Sequence, residues 1–299
     1  MFSKSVWVVS LTMLGAAAAT PQVAGFETNK YDIFTMPANS FPAGINNTGT
    51  IVASGFESGY LVKNGTISPI TLPVSDLGLV FANGVNDAGD IVGEYRNSGN
   101  FATGFAILHG AFQTLTDPDG RTLFPHDINA QRVIVGSASR PSERQVGFIF
   151  DNGRLTFVAC PGINGQPEGA VFSGINRDGV IAGFCIGQKL RPFTYNQGAF
   201  TFFQYPGAEE ARFFDINKDG DVVGDAFFTD SLGRKVIGFL YRKGVFYDIS
   251  FPGTRQSNAV SINDSGDVLG QTTILHFGPN QNFPDLGFFN WVRSTKNLK

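Results

Sequence analysis

Short apolar runs alternate with glycine-containing polar turns along the chain from about residue 30 onward. A representative stretch is "GFLYRKGVFYDISFPG", in which one apolar run, a Lys-Gly turn, a second apolar run and a Pro-Gly stop follow one another. Runs of about four to eight residues bounded by Gly and Pro are typical of β-strands. No 3.6-residue periodicity places a helix between them. The pattern therefore predicts an all-β protein.

One element of this pattern recurs six times. In "DINKDGDVVGD", residues 215–225, an Asn-containing polar turn precedes a short apolar strand that contains Gly. The shared asparagines are Asn46, Asn86, Asn129, Asn176, Asn217 and Asn263. Their spacings of 40, 43, 47, 41 and 46 residues match the length of one four-stranded propeller blade.

Each repeat contains a strand ending at Ile-Asn or Val-Asn, an "IVG"-type strand, a "GFLY"-type strand and a last strand before Pro. Short connections make all four antiparallel neighbours. We therefore predict a six-bladed β-propeller of four-stranded antiparallel blades, with other closed or stacked all-β repeats as alternatives. The sixth repeat lacks a clear fourth strand, and residues 31–41 ("YDIFTMPANSF") parallel residues 247–257. We expect this N-terminal strand to complete the last blade, which leaves no unpaired edge at the join.

The repeats resemble a known family. "GFLYRKGVFYDISFPGTRQSNAVSINDSGDVLG", residues 238–270, is similar to the HAF-type extracellular repeat, which combines a GFhY-x-x-G-x-[FM] pattern with IN-x-x-G-x-[IV]-[VL]-G. The histidine of the HAF tripeptide is mostly replaced by Gly or another residue here. The resemblance implies an exported bacterial β-propeller-like repeat protein and carries no established reaction.

The repeated Asn-x-x-Gly segment is explained by turn chemistry. An Asn at the first turn position bonds the backbone two residues on, and a Gly at the fourth accepts a positive φ. Five of the six copies keep this Gly, whereas the third has Arg132, which we expect to strain or reshape its turn.

Calcium is an alternative interpretation of the fifth copy. Asp215, Asn217 and Asp219 alternate as in the opening of an EF-hand loop. The twelfth position, where an EF-hand needs a bidentate Glu, is Ala226, so we predict a turn and no cofactor. His109, His126 and His276 lie in different repeats, which does not favour zinc.

The first 19 residues predict a secretory signal peptide, with a Lys, an apolar run and an A-x-A-like end at Ala19; cleavage after Ala24 is the alternative. We expect residues 26–299 to form one secreted or periplasmic domain without a membrane span. Export permits a disulfide, and the predicted strand order brings Cys160 and Cys185 to one face of neighbouring blades. Two buried free thiols are the alternative.

Charge excludes some partners. The chain carries 22 Lys and Arg against 25 Asp and Glu, a net charge of −3, with no run of like charges. A weakly acidic chain of this kind does not favour binding to nucleic acid or to an anionic membrane. We expect a monomer whose partners are extracellular carbohydrate or protein.

Candidate ligand-binding residues come from the variable segments that lead into the first strand of each repeat. We expect these segments to meet at one face of the ring, where charged and aromatic side chains could bind a sugar or a peptide. The function predicted from this arrangement is a non-catalytic binding or scaffold module, with a glycosidase or lyase using rim carboxylates as the alternative. The predicted binding residues are His126, Glu209, Glu210, Arg212 and Arg255.

Overall fold

A computed structural model describes residues 22–24, 32–34, 36–37, 40–55, 58–250, 254–276 and 285–295. The predicted signal peptide, residues 1–19, lies outside these ranges. Every regular element within them is a β-strand, which confirms the all-β prediction. In this part of the chain no helix is both long and apolar enough to span a membrane.

The described strands form units of four, each unit corresponding to one sequence repeat. Unit 1 consists of β3 (Ser40–Ile45), β4 (Ile51–Gly55), β5 (Tyr60–Lys63) and β6 (Thr66–Pro69). Unit 2 consists of β7 (Val80–Val85), β8 (Ile91–Arg96), β9 (Ala102–Leu108) and β10 (Ala111–Leu115). Unit 3 consists of β11 (Thr122–Ile128), β12 (Ile134–Ser139), β13 (Val146–Asp151) and β14 (Arg154–Val158).

The remaining units include two strands from the N-terminal segment, β1 (Gln22–Ala24) and β2 (Asp32–Phe34). Unit 4 consists of β15 (Gly169–Ile175), β16 (Ile181–Ile186), β17 (Leu190–Asn196) and β18 (Ala199–Phe202). Unit 5 consists of β19 (Glu210–Ile216), β20 (Val222–Asp230), β21 (Gly233–Arg242) and β22 (Val245–Asp248). Unit 6 consists of β23 (Gln256–Ile262), β24 (Asp267–His276), β25 (Asp285–Ser294) and β2.

Neighbouring strands within each unit are antiparallel. In unit 6 the outermost strand is β2, whose Ile33 lies opposite Trp291 of β25. This places part of the predicted N-terminal strand beside the last repeat. The sequence did not predict β1, which precedes residue 26 and pairs in parallel with β22.

Aromatic and aliphatic side chains fill the junctions between consecutive units. Among the described residues there is one buried cluster for each junction, and one of them joins Leu269 of unit 6 to Ile45 of unit 1. At the junction of units 4 and 5, fully buried Phe213, Phe239 and Phe246 pack together. Each such side chain contributes about 1.5–3 kcal/mol on leaving water, so these clusters supply much of the stability.

The Asn turns have the predicted geometry. Asn176 Oδ1 accepts the backbone N–H groups of Asp178 and Val180 at 3.0 and 2.9 Å, and Gly179 has a φ of 80°. In the third copy Arg132 keeps the same left-handed backbone, with a φ of 63°. Its Nε lies 2.9 Å from the carboxylate of buried Asp90 in the preceding unit, so an ion pair accompanies the backbone strain.

The other end of each asparagine amide connects neighbouring units, which the sequence analysis did not predict. Asn46 Nδ2 donates to the backbone carbonyl of Asn86 at 3.0 Å. The same bond joins each asparagine to that of the next unit, and Asn263 donates back to Asn46 at 3.1 Å. We call this cycle the Asn ring; its members are Asn46, Asn86, Asn129, Asn176, Asn217 and Asn263.

Cys160 and Cys185 form a disulfide whose Cα atoms are 5.7 Å apart. Cys160 follows the last strand of unit 3, and Cys185 lies in the second strand of unit 4. The bond therefore crosses the junction between these units, and both cysteines belong to its buried cluster.

The Asn ring gives a direct test of what holds the units together. Asn176→Ala removes two accepted bonds and one donated bond from a buried position, and we expect a loss of about 2–4 kcal/mol in the free energy of unfolding. Chemical denaturation followed by tryptophan fluorescence measures it. Asn152→Gly, in an exposed turn where Asn152 has a φ of 48°, is the control and should change stability by less than about 0.5 kcal/mol. Equal effects of the two substitutions would contradict a role for the ring.

Candidate functional site

The first strand of every unit contains a β-bulge. In unit 3, for example, the register with β12 shifts between Pro125 and Asp127, so His126 has no opposite residue. A bulge bends the strand and turns the extra side chain away from the regular pleat. The corresponding residues are Ala43, Asn83, His126, Ser173, Phe214 and Val260.

These six residues surround one cavity of about 500 Å³, which we call the chamber. Because each unit contributes its first strand, the chamber lies where the six units meet. Its walls are largely apolar, with Pro42, Val171, Phe184 and Ile186 beside the bulge residues, and its polar groups are few. A mostly apolar cavity with a few fixed polar groups is typical of small-molecule sites.

A second ring of positions lies one residue further along each first strand, and four of its members, Gly44, Asp127, Asp215 and Ser261, form the floor of the chamber. Asp127 and Asp215 are its charged members, and glycines precede both of them in the neighbouring units. A Cβ at Gly174 would stand 2.6 Å from Asp215 Cα, and one at Gly84 would stand 2.7 Å from Asp127 Cα. Glycine is therefore required there by close packing of the strands. The complete set is Gly44, Gly84, Asp127, Gly174, Asp215 and Ser261.

Both floor carboxylates accept hydrogen bonds from the next unit. Asp127 Oδ2 accepts the Ile175 backbone N–H at 2.8 Å. Asp215 Oδ2 accepts the Ser261 hydroxyl at 2.6 Å and the Ile262 N–H at 2.8 Å. These bonds hold the two carboxylates rigidly at the floor of the chamber.

Within the described part of the chain no cation contacts either floor carboxylate. Burial raises the pKa of Asp127 well above its usual value, and the nearby charge of Asp215 raises it further. Burial also raises the pKa of Asp215 to about 6, against the opposing hydrogen bonds from Ser261 and Ile262. Two like charges in a confined channel favour retention of a proton between them.

His126 is fixed by two hydrogen bonds. Its Nδ1 lies 2.9 Å from the Phe172 carbonyl, which can only accept, so Nδ1 carries the proton. Burial lowers the pKa of His126 and keeps the ring neutral, which leaves Nε2 to accept the Ser137 hydroxyl at 3.4 Å. The imidazole therefore offers its ring surface to the chamber.

Two polar side chains of the chamber are available to a ligand. The buried hydroxyl oxygen of Ser173 has no hydrogen-bond partner among the described residues. The Gln145 side chain likewise makes no described hydrogen bond, and it lines the same cavity. With the carboxylate of Asp127, these groups supply donors and acceptors around the chamber.

An aromatic wall completes the chamber. Phe184 and Phe214 line it, and the Arg212 guanidinium lies 5.9 and 4.9 Å from the centres of their rings. Arg212 is held by a two-bond ion pair with fully buried Asp225, at 2.9 and 2.6 Å. Arg212, a predicted binding residue, does not line the chamber. Its charge is already paired with Asp225, and it packs against the two rings of the wall.

A second cavity, of about 280 Å³, lies on the other side of the floor. It is lined by residues of the Asn ring and its turns. The three residues considered for calcium each bond to a different partner, so their oxygens do not share one site. Asp215 binds the neighbouring unit, Asn217 Oδ1 accepts the N–H groups of Asp219 and Asp221, and the Asp219 carboxylate pairs with Lys218. The described residues contain no cluster of three or more His, Cys, Asp or Glu suited to a metal.

The five predicted binding residues do not form one rim. His126, Glu210 and Arg212 lie within strands rather than in loops, and of the five only His126 lines the chamber. Glu209 and Glu210 line an outer cleft between units 4 and 5. Arg255 is half-buried and forms an ion pair with Asp230 on the β20–β21 hairpin.

The sequence analysis missed most of the chamber residues. A signal was present, because the bulge residue always stands three positions before the shared asparagine and its identity differs in every copy. That column carries Ala, Asn, His, Ser, Phe and Val, whereas the columns two and three positions later carry only Ile or Val and only Asn. A column that differs in every copy, close to two that are nearly constant, fits a ring of unlike contacts.

The floor carboxylates predict a pH dependence of stability. Their raised pKa values mean that the folded state binds protons more tightly than the unfolded state, so stability falls as pH rises from about 4 through about 6. Asp127→Asn removes one of the two charges, and we expect its melting temperature to fall several degrees less than that of the wild type between about pH 5 and pH 8. Asp178→Asn, on an exposed turn, is the control and should follow the wild type. Parallel curves for Asp127→Asn and the wild type would contradict the electrostatic coupling.

Comparison with known proteins identifies no family for this chain. No family model matches the chain and no curated protein matches it, so membership of the HAF-type repeat family stays a prediction.

Several of the matching solved structures are β-propeller proteins. They include YCF48 bound to D1 peptide, with 12% identity, a TM-score of 0.47 and coverage of 91% of this chain and 99% of that chain. A triple Arg-to-Ala mutant of AofleA from Arthrobotrys oligospora has 13% identity, a TM-score of 0.47 and coverage of 86% and 90%. The calcium-binding protein regucalcin from Agrobacterium tumefaciens has 11% identity, a TM-score of 0.45 and coverage of 91% and 97%.

Proposed function

We propose that this protein is an exported six-bladed β-propeller that binds a small neutral sugar in the chamber without chemical change. The six units are its blades, and the Asn ring together with the pairing of β2 and β25 supports a closed arrangement. The Cys160–Cys185 disulfide is consistent with an oxidising compartment outside the cytoplasm. The proposed protein is a monomer.

The observation that carries the binding function is the chamber itself. A cavity of about 500 Å³ accommodates one or two sugar rings. Phe184 and Phe214 offer apolar faces for the C–H side of a sugar, while Ser173, Gln145 and Asp127 offer groups that hydrogen-bond hydroxyls. Because each of the floor carboxylates and the neutral His126 is held by hydrogen bonds, the site is formed before a ligand arrives.

A chamber-filling substitution tests this proposal. The probes are neutral mono- and disaccharides of glucose, mannose, xylose and N-acetylglucosamine, screened by thermal shift and confirmed by titration calorimetry. Ala43→Phe places a ring inside the chamber, and we expect it to abolish the thermal shift given by the wild type. Ala111→Phe, on the exposed outer strand of unit 2, is the matched control and should retain it. If no sugar binds, or if both variants bind alike, the chamber is not the site.

A hydrolytic function is the second candidate, and the floor carboxylates are the observation that favours it. Two carboxyl groups with separated protonation are the requirement of many glycosidases. Both oxygens of Asp215 already accept bonds, from Ile216 on one side and from Ser261 and Ile262 on the other, which suits a structural role better.

Activity on soluble polysaccharides separates the two candidates. A binding protein should release no reducing sugar. Turnover that Asp127→Asn abolishes, with sugar binding intact, would establish the enzyme, and retention of turnover in Glu210→Gln would assign it to the chamber rather than to the outer cleft.

A further inference from the structure

A groove runs from the chamber across unit 4 to the outside of the molecule. Four cavities lie side by side, each sharing a wall residue with the next: the chamber and a cavity of about 280 Å³ share Ile186, and that cavity and the outer cleft of about 680 Å³ share Gln188. The outer cleft meets a last cavity of about 560 Å³ at Phe202. We call the three cavities beyond the chamber the groove.

We propose that the groove binds a linear neutral polysaccharide whose end occupies the chamber. This inference rests on the proposed sugar site and extends it to the polymer from which the sugar comes. The row of adjacent cavities fits a chain of linked rings, since a compact ligand would leave most of the row empty.

The charges of the groove exclude a strongly charged polymer. Arg144, Lys189 and Arg191 face it, and so do Glu168, Glu209 and Glu210, so the two signs are equal in number. Arg191 and Glu168 are moreover paired at 2.7 Å. A polyanion or a polycation would meet repulsion as often as attraction along this path.

The polar groups of the groove are suited to hydroxyl groups. Four side-chain amides line it, and none of them makes a hydrogen bond to another described residue. Because an amide donates and accepts at once, it matches pairs of neighbouring sugar hydroxyls. The four are Asn164, Gln166, Gln188 and Gln204.

An exposed aromatic ring stands where the outer cleft and the last cavity meet. Phe202 is 40% exposed, although it is a large apolar side chain. It stacks on Phe200 at 5.9 Å with nearly parallel planes, and the Arg191 guanidinium lies 4.5 Å from its ring centre. The ring is thus held in place, as a platform for stacking a sugar must be.

One loop forms the side of all three groove cavities. It runs between Cys160 and Glu168, whose backbones exchange two hydrogen bonds of 3.1 and 2.9 Å. The disulfide to Cys185 and the Glu168–Arg191 ion pair attach the two ends of the loop to unit 4. This bracing keeps the groove open without a ligand and lowers the entropic cost of binding.

Chain length gives the test. The probes are neutral linear oligosaccharides of one to six units built from glucose, mannose, xylose or N-acetylglucosamine, with titration calorimetry on the full protein. We expect the affinity of the best series to rise about tenfold or more from two units to six, as added rings reach the groove.

Two variants test whether the rise in affinity with oligosaccharide length comes from the groove. Phe202→Ala should remove most of the increase with length while leaving the mono- or disaccharide affinity unchanged. The double substitution Gln188→Ala and Gln204→Ala alters only exposed side chains and should reduce the same increase. Phe101→Ala, whose ring is 73% exposed in unit 2, is the matched control and should bind every length like the wild type.

The outcomes distinguish the inference from the function on which it rests. If affinity does not depend on oligosaccharide length, or if neither groove variant changes its rise with length, the groove is not a binding site. The chamber then remains as a sugar site. Binding of no sugar of any length overturns both. Binding of a neutral Gly-Ser peptide of similar length that Phe202→Ala weakens, in place of the oligosaccharides, overturns the polysaccharide assignment.

Discussion

The asparagine amide is the constraint on which the molecule depends. Each Asn turn needs a hydrogen-bond acceptor for two of its own backbone N–H groups. At the same buried position, the backbone carbonyl of the asparagine in the next unit needs a donor. Only an amide supplies both: a carboxylate cannot donate, and a serine hydroxyl is too short to reach both sides. This explains why all six copies keep the asparagine while the turn glycine gives way to Arg132 in one of them. Because the amides are fixed, the first strand of each unit is held at a fixed position relative to that of the next.

The bulges separate the scaffold from the site. Each first strand keeps its Ile-Asn or Val-Asn end for packing and for the ring, while the side chain three positions earlier is free to differ. That residue is turned out of the pleat and into the chamber, so changing it disturbs little of the inter-unit core. His126, Ser173 and Phe214 thus face one cavity although they are far apart in sequence and unlike in chemistry.

Local patterns made the strands, the turns and the repeat predictable, because strand alternation and turn chemistry involve neighbours in sequence. The chamber was not predictable in the same way, since a bulge shifts the pleat by one residue and thereby reverses which side chains face inward. His126 was assigned to the variable segment that leads into the first strand of the third repeat, whereas it lies within β11, at the bulge that follows Pro125. Arg212 seemed free to bind a ligand until the register placed it opposite Asp225. The groove was missed because its walls come from separate segments that meet only in the folded chain.

The strand β2 also has a consequence in time. It lies ahead of every unit along the chain, yet its only described partner strand is β25, near the other end. During synthesis this segment therefore remains without its partner strand until β25 has been made. Pairing across such a separation is slow because the entropy of closing a long loop must be met before the contact forms. Unit 6 can therefore be completed only late, after the strands of the other five units have been synthesised.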